Sequence, residues 1–212
     1  MNDRVNSLGF THRYLAPSDP GTKDTLLLLH GTGGDENDLL DVGQMLWPEA
    51  GRLSPRGKVM ENGMARFFRR LAEGVFDVDD LIRRTDELAE FVGAAAALYR
   101  FDPQRVIAVG YSNGANIAAS TLLLRSIILS KAILFHPMVP LVPESLPDLN
   151  GRAVFIGAGR RDPIAVPDQS EQLAQLLART GADVTIHWEN GGHALARGEV
   201  EAAREWLRQL AS

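Results

Sequence analysis

The chain has no cysteine. Disulfides, thiolate metal sites and a cysteine nucleophile are therefore excluded. Long apolar runs are also missing. No stretch approaches the ~18 apolar residues that a membrane helix requires, and residues 1–7 lack the apolar core of a signal peptide. No membrane span and a cytoplasmic location are expected. Basic charge is in short supply, with 22 Lys and Arg against 27 Asp and Glu, a net charge of −5. That balance argues against nucleic acid as a partner, because phosphate-backbone binding needs clustered cations. Gly-x-x-x-x-Gly-Lys-Ser/Thr and His-x-x-x-His patterns are absent, so no nucleotide, metal or other cofactor is expected. Nor is there an internal repeat, a low-complexity tract or a linker. The 212 residues read as a single domain spanning 1–212, with ample chain for one core.

What remains is an alternation of short apolar runs with helix-period segments. Leu26 to Leu29 reads as a buried strand that ends in His30-Gly31-Thr32-Gly33-Gly34. Helical signal follows from Asp38 to Leu46. Residues 47–74 look irregular, with a short strand at Arg52-Leu53-Ser54, and His12 lies in a segment that reads as an edge strand. From Asp79 to Tyr99, apolar residues including Leu81, Leu88, Val92 and Ala96 share one helical face. Further strands are expected at Val106–Val109, Lys131–Phe135, Arg152–Ile156 and Asp183–Trp188. Further helices are expected at Asn113–Leu124, Gln169–Thr180 and Gly198–Leu210. Strands alternating with helices imply an α/β protein with a mostly parallel central sheet and helices on both faces. In such sheets the working residues gather at the carboxyl ends of strands.

One stretch carries the chemistry. An apolar run, Val106 to Val109, leads into Gly110-Tyr111-Ser112-Asn113-Gly114, and an Ala-rich helical segment follows. This is the context of a nucleophile elbow, in which a serine stands at the tip of a strained strand-to-helix turn. Its neighbours two positions away must be small, and the free N–H groups of the following helix point at developing negative charge. A serine hydroxyl needs a base, and the base needs an orienter. Among five histidines, His193 lies in the Gly-Gly loop after the last strand and follows both the elbow and a candidate acid. His30 and His136 end other strands and are expected to shape the site or pack beneath it. Asp162, in Gly159-Arg160-Arg161-Asp162-Pro163, follows a strand end and supplies the acid. Asp102, before Pro103, lies at the opposite end and reads as a turn.

The order Ser112, Asp162, His193 is that of the α/β-hydrolase triad. With it stand Leu28-Leu29-His30-Gly31-Thr32-Gly33-Gly34-Asp35-Glu36, Leu53-Ser54-Pro55-Arg56-Gly57, Gly63-Met64-Ala65-Arg66-Phe67-Phe68 and His187-Trp188-Glu189-Asn190-Gly191-Gly192-His193. Over nearly its whole length the chain resembles the phospholipase/carboxylesterase family of α/β-hydrolases, which includes the acyl-protein thioesterases. It looks closest to a bacterial carboxylesterase branch linked with aromatic and quinone compounds. The resemblance implies an α/β-hydrolase fold and a serine carboxylesterase acting on small carboxylic esters through an acyl-enzyme on Ser112. It also implies an oxyanion hole made by the backbone N–H groups of Asn113, the residue after the nucleophile, and Thr32. Threonine stands at 32 where the thioesterase relatives usually carry leucine, which makes the wall smaller and more polar and weighs against long acyl chains.

From Phe135 to Asn150 there is no room for a large cap domain, so an open site is expected. Phe67, Phe68, Met138, Ile164 and Leu195 are candidate pocket walls. Arg66, Arg69 and Arg70 suggest a phosphate or carboxylate site, and Arg83 and Arg84 a solvated helix face. Thioesterase or lysophospholipase activity is the nearest enzymatic rival, since the same machinery cleaves both bonds. A non-catalytic hydrolase-like binding or sensor protein would show damage at a triad position. A cysteine-nucleophile dienelactone hydrolase is excluded by composition. The expected partner is a small-molecule ester. A homodimer is compatible with the sequence, which does not show one.

Overall fold

The computed structural model describes residues 8–19 and 21–211. The expectation concerning residues 1–7 lies outside them. In chain order the strands are β1 (His12–Leu15), β2 (Thr25–Leu29), β3 (Gly51–Pro55), β4 (Val59–Glu61), β5 (Met64–Arg66), β6 (Arg70–Ala72), β7 (Val75–Phe76), β8 (Val106–Tyr111), β9 (Lys131–Phe135), β10 (Ala153–Gly159) and β11 (Asp183–Glu189). The helices are α1 (Leu40–Leu46), α2 (Val78–Tyr99), α3 (Asn113–Leu124), α4 (Pro167–Arg179) and α5 (Arg197–Ala211). Among the described residues, seven strands form the central sheet in the order β1-β3-β2-β8-β9-β10-β11. All its pairs are parallel except β1 with β3.

The sheet divides the core by alternation along each strand. Leu27, Leu29, Ala108, Leu134, Val154 and Ile156 pack with buried residues of α2, α3 and α4. Leu26, Leu28, Ile107, Val109, Ile133, Phe135 and Phe155 pack with Leu46 of α1 and with Val200, Ala203 and Leu207 of α5. This is why β2 and β8 read as unbroken apolar runs: both faces are covered. Residues 136–152 contain neither helix nor strand, and among the described residues no large cap covers the strand ends.

The expected elements stand within a residue or two of these bounds, apart from β10, which runs three residues past its expected end at Ile156 to Gly159, and residues 47–74. Residues 47–74 are more ordered than their sequence suggests. β3 is a full member of the sheet, parallel to β2 and antiparallel to β1. Beyond it, β4 with β5 and β6 with β7 make two small hairpins. Strands of two or three residues carry no measurable periodicity. The first hairpin did leave a local sign, since Glu61 pairs with Met64 across Asn62-Gly63, both at positive φ (52° and 77°). Asn-Gly is the preferred dipeptide of such two-residue turns. α4 begins two residues earlier than its apolar period suggests, with Pro167 in its first turn, where a missing N–H is harmless. Asp102 caps a short 3₁₀ turn by accepting from the Gln104 N–H, as its place in the sequence suggests. No helix among the described residues is long and apolar enough to cross a membrane.

Candidate active site

Ser112 sits between β8 and α3 with φ 53° and ψ −113°. A β-carbon disfavours this region by about 1–3 kcal/mol, so the surroundings must hold it. They do so through the Ser112 N–H, which donates to the Phe135 carbonyl at 2.9 Å, and the Ser112 carbonyl, which accepts from the Asn116 N–H at 3.0 Å. The two elbow glycines allow the crossing of strand and helix. A Cβ on Gly110 would lie 2.5 Å from the Gly114 oxygen, and one on Gly114 would lie 1.9 Å from the Leu29 oxygen.

The strand-end loops bring Asp162 and His193 to the serine. His193 Nε2 is 2.9 Å from Ser112 Oγ, and His193 Nδ1 is 2.8 Å from Asp162 Oδ2. An ionised carboxylate only accepts, so Nδ1 carries the proton and Nε2 presents its lone pair to the hydroxyl. Asp162 is 3% exposed. Its Oδ1 accepts from the Ile164 and Ala165 N–H groups at 2.8 and 2.9 Å. Burial alone would raise its pKa, but these bonds and the two imidazoles beside it outweigh burial and hold the carboxyl below its ordinary range.

The His193 loop is fixed from two sides. Gly159 lets it close on β10, since a Cβ there would lie 2.4 Å from the Gly192 oxygen. The Tyr111 hydroxyl donates to the His193 carbonyl at 2.8 Å. Burial is the main cause that raises the Tyr111 pKa, with the Asp162 and Glu199 charges adding to it, so the phenol stays a donor.

The other histidines have separate duties. His30 donates from Nδ1 to the Gly31 carbonyl at 2.6 Å and accepts on Nε2 from the Gly57 N–H at 2.9 Å. Burial lowers its pKa, which suits a neutral ring bracing the loop after β2. His12 lies between the Phe10 carbonyl and the Tyr99 hydroxyl. His187 is on β11, beside Glu189. His136 lies beneath the triad, its Nδ1 2.8 Å from Asp162 Oδ2 and its Nε2 3.2 Å from Glu199 Oε2. Glu199, fully buried in the first turn of α5, carried no sequence signal beyond an acid near a helix start. His136, Asp162 and His193 are also close enough to share an ion. Their atoms are already hydrogen-bonded among themselves.

A cleft of about 330 Å³ opens over Ser112, lined by Thr32, Arg66, Arg70, Glu73, Gly74, Phe76, Tyr111, Asn113, Asn116, Met138, Ile164 and His193. Met138 and Ile164 are thus where the sequence reading puts them. Phe67, Phe68 and Leu195 are not in the lining. Phe67 and Phe68 are 2% and 0% exposed in the core, because the chain turns inward after β5, and Leu195 packs on the cluster beneath α1 and α5. Phe76 supplies aromatic surface in their stead. Of the three arginines, Arg66 and Arg70 line the cleft, while Arg69 turns away to Asp77 at 2.6 Å. Arg83 pairs with Asp80, and Arg84 with Asp80 and Glu87, along α2.

Thr32 and Asn113 flank the serine in that lining. Asn113 Oδ1 accepts from the Phe67 N–H at 2.7 Å, which pins the side chain and leaves the backbone N–H at the open start of α3. Thr32 Oγ1 accepts from Arg66 Nη1 at 2.5 Å. Among the described residues, no acceptor takes the Thr32 N–H. Arg66, 3% exposed, also donates through Nε to the Phe68 carbonyl at 3.2 Å. It ties the loop after β2 to the hairpin that ends at β5.

Known proteins match this chain. The family model for the dienelactone hydrolase family matches residues 72–210. The hydrolase MhqD of Bacillus subtilis (strain 168) is 53% identical over 192 residues, 90% of this chain and 96% of its own. The crystal structure of the Bacillus cereus carboxylesterase superposes with a TM-score of 0.93 at 52% identity, covering 96% of this chain and 95% of the other. The structure of YahD with malic acid superposes at 0.89 with 33% identity, covering 94% and 98%. The resemblance seen in the sequence to carboxylesterases of the α/β-hydrolase fold therefore holds, although a composition without cysteine departs from the thiol nucleophile associated with dienelactone hydrolases. This chain belongs to the dienelactone hydrolase family and is a carboxylesterase-like hydrolase of the α/β-hydrolase fold.

Proposed function

We propose that the protein is a serine carboxylesterase that hydrolyses small carboxylic esters through an acyl-enzyme on Ser112. The observation that carries this reading is the continuous hydrogen-bonded line from Ser112 Oγ through His193 to Asp162, at 2.9 and 2.8 Å. Ser112 Oγ attacks the ester carbonyl while His193 Nε2 takes its proton. Asp162 holds the ring in the reactive tautomer and stabilises its cation. The Thr32 and Asn113 N–H groups receive the oxyanion. The alcohol leaves with the proton from His193, and a water then repeats the attack on the acyl-enzyme.

The cleft favours small substrates. Its floor is polar at Thr32, and Met138, Ile164 and Phe76 supply its apolar walls. Arg66 and Arg70 line the cleft with Glu73 and both pair with Glu61, so their charges are balanced by carboxylates there. A thioester would meet the same machinery.

Ser112→Ala tests the assignment. It should lower kcat by about 10⁴-fold or more, with circular dichroism unchanged. A fluorophosphonate probe should label the wild type at Ser112 and leave the variant unlabelled. Labelling at another serine overturns the assignment. Turnover of esters and thioesters of graded acyl length decides the substrate class. A steep preference for long acyl-thioesters would replace the carboxylesterase reading.

A further inference from the structure

His136 is a buried histidine that the proposed hydrolysis does not use. It follows β9 directly with φ 52° and is 1% exposed. Its backbone N–H donates to the Gly157 carbonyl at 2.7 Å, which locks the residue to the end of β10. Each ring nitrogen faces a carboxylate: Nδ1 faces Asp162 and Nε2 faces Glu199. Asp162 Oδ2 is thereby shared, accepting from His136 Nδ1 and His193 Nδ1 at 2.8 Å each. Glu199 Oε2 also accepts from the Ala196 N–H at 2.9 Å, and Glu199 Oε1 has no partner. A line of side chains thus runs from Glu199 through His136, Asp162 and His193 to Ser112.

Carboxylates only accept, so an imidazole between two of them must donate from both nitrogens, as the imidazolium does. Two buried carboxylates with no cation between them would be strongly unfavourable. Burial by itself disfavours the charged ring. The hydrogen bonds and charges of Glu199 and Asp162 outweigh it and raise the His136 pKa. The ionisable groups facing His136 are Asp162 after β10, Glu199 on α5, His193 after β11 and Tyr111 at the end of β8. The Tyr111 ring meets it edge-on at 5.9 Å, and the His193 ring lies at 5.3 Å.

We propose that His136, held as an imidazolium between Glu199 and Asp162, is a positioning residue for the catalytic acid and sets the pH at which His193 becomes a base. The proposal rests on the Ser112–His193–Asp162 reading. A fixed positive charge next to His193, sharing the oxygen that would stabilise the His193 cation, makes a second proton on His193 less favourable. The enzyme therefore gains its base form at a lower pH than it would with Glu199 left beside Asp162 and no cation between them.

The test is the acidic limb of kcat/KM in the full-length enzyme, on a small acetate ester. His136→Gln removes the cation and leaves Glu199 uncompensated, so the limb should move to higher pH by about one unit. The double variant His136→Gln/Glu199→Gln removes one positive and one negative charge together. Its limb should return close to that of the wild type. A role confined to packing would lower activity in both variants and move neither limb. An unmoved limb in folded His136→Gln overturns the proposal, as does an equal displacement in the double variant.

A second measurement needs neither folded variants nor turnover. Histidine-labelled wild-type protein should show by NMR a ring for His136 that is protonated on both nitrogens at pH 7. A neutral ring overturns the proposal. If Ser112→Ala kept its activity, the triad reading would fail instead, and the NMR result on His136 would still stand.

Discussion

Thr32 has two roles that substitutions can separate. Its backbone N–H is the proposed oxyanion donor, and its hydroxyl accepts from the buried Arg66. Thr32→Ser keeps both and should retain most activity on an acetate ester. Thr32→Val keeps the shape and the N–H but leaves an Arg66 donor without its acceptor. That should destabilise the fold by about 1–3 kcal/mol, read as a lower denaturation midpoint, with kcat much less affected. A large loss of kcat with stability unchanged would mean that the hydroxyl acts in the chemistry. His193→Gln should remove nearly all turnover, whereas His30→Gln should act mainly on stability, because both His30 nitrogens serve the backbone. If His30→Gln abolished turnover in a folded protein and His193→Gln did not, the base would be misassigned. At this scale the hydrogen-bonded line of Ser112, His193 and Asp162 was legible because residue types, chain order and strand-end placement coincide. His136 was expected to shape the site or pack beneath it, and it lies beneath Asp162 and His193; Glu199 was not legible, since a contact between a strand end and a distant helix has no local pattern.

At the scale of elements, the crossing of β8 and α3 determines where the serine stands. Gly114→Ala would place a Cβ 1.9 Å from the Leu29 oxygen, and Gly110→Ala would place one 2.5 Å from the Gly114 oxygen. Both contacts are with backbone, which cannot rotate away. Each should destabilise the protein by at least the ~1–3 kcal/mol of an overpacked site and lower kcat by moving Ser112. Gly93, on the exposed side of α2 with nothing within 4 Å of a built Cβ, makes the contrast. Gly93→Ala should stabilise by about 0.5–1 kcal/mol through helix propensity and leave kcat unchanged. Thermal melts and steady-state rates for the three variants check both statements. A Gly114→Ala protein as stable and active as the wild type would remove the steric reason for the elbow.

Over the whole molecule the buried ionisable groups couple stability to pH in opposite directions. The Asp162 carboxyl lies below its ordinary range in the folded state. Its contribution is present above the unfolded value of about 3.9 and is lost as pH falls through the folded pKa. His136 is raised, so its contribution is full below the unfolded value of about 6.5 and is lost as pH rises through the folded pKa. His30, lowered by burial, has the reverse sign and weakens the fold only as pH drops below about 6.5. Denaturation midpoints of the wild type should therefore decline on the alkaline side of pH 6.5 more steeply than those of His136→Gln. Parallel curves for the two proteins would place His136 neutral in the folded state.

The linear chain was enough to specify the sheet-and-helix alternation, the strand-to-helix turn at Ser112 and the strand-end placement of Asp162 and His193. Each rests on short-range patterns: apolar runs covered on both faces, glycines where a Cβ has no room, and turn residues at strand ends. Tertiary structure decided what depends on contacts between distant segments. Phe67 and Phe68 entered the core while Phe76 reached the cleft, because two short hairpins turn the chain between β3 and α2. Arg66 and Arg70 came to the cleft while Arg69 paired with Asp77, although the three stand close together in the sequence. Glu199 reached His136 only because α5 packs its first turn beneath the ends of β9 and β10. Charges buried together stabilise one another through space, and position along the chain carries no trace of such a meeting until the fold brings it about.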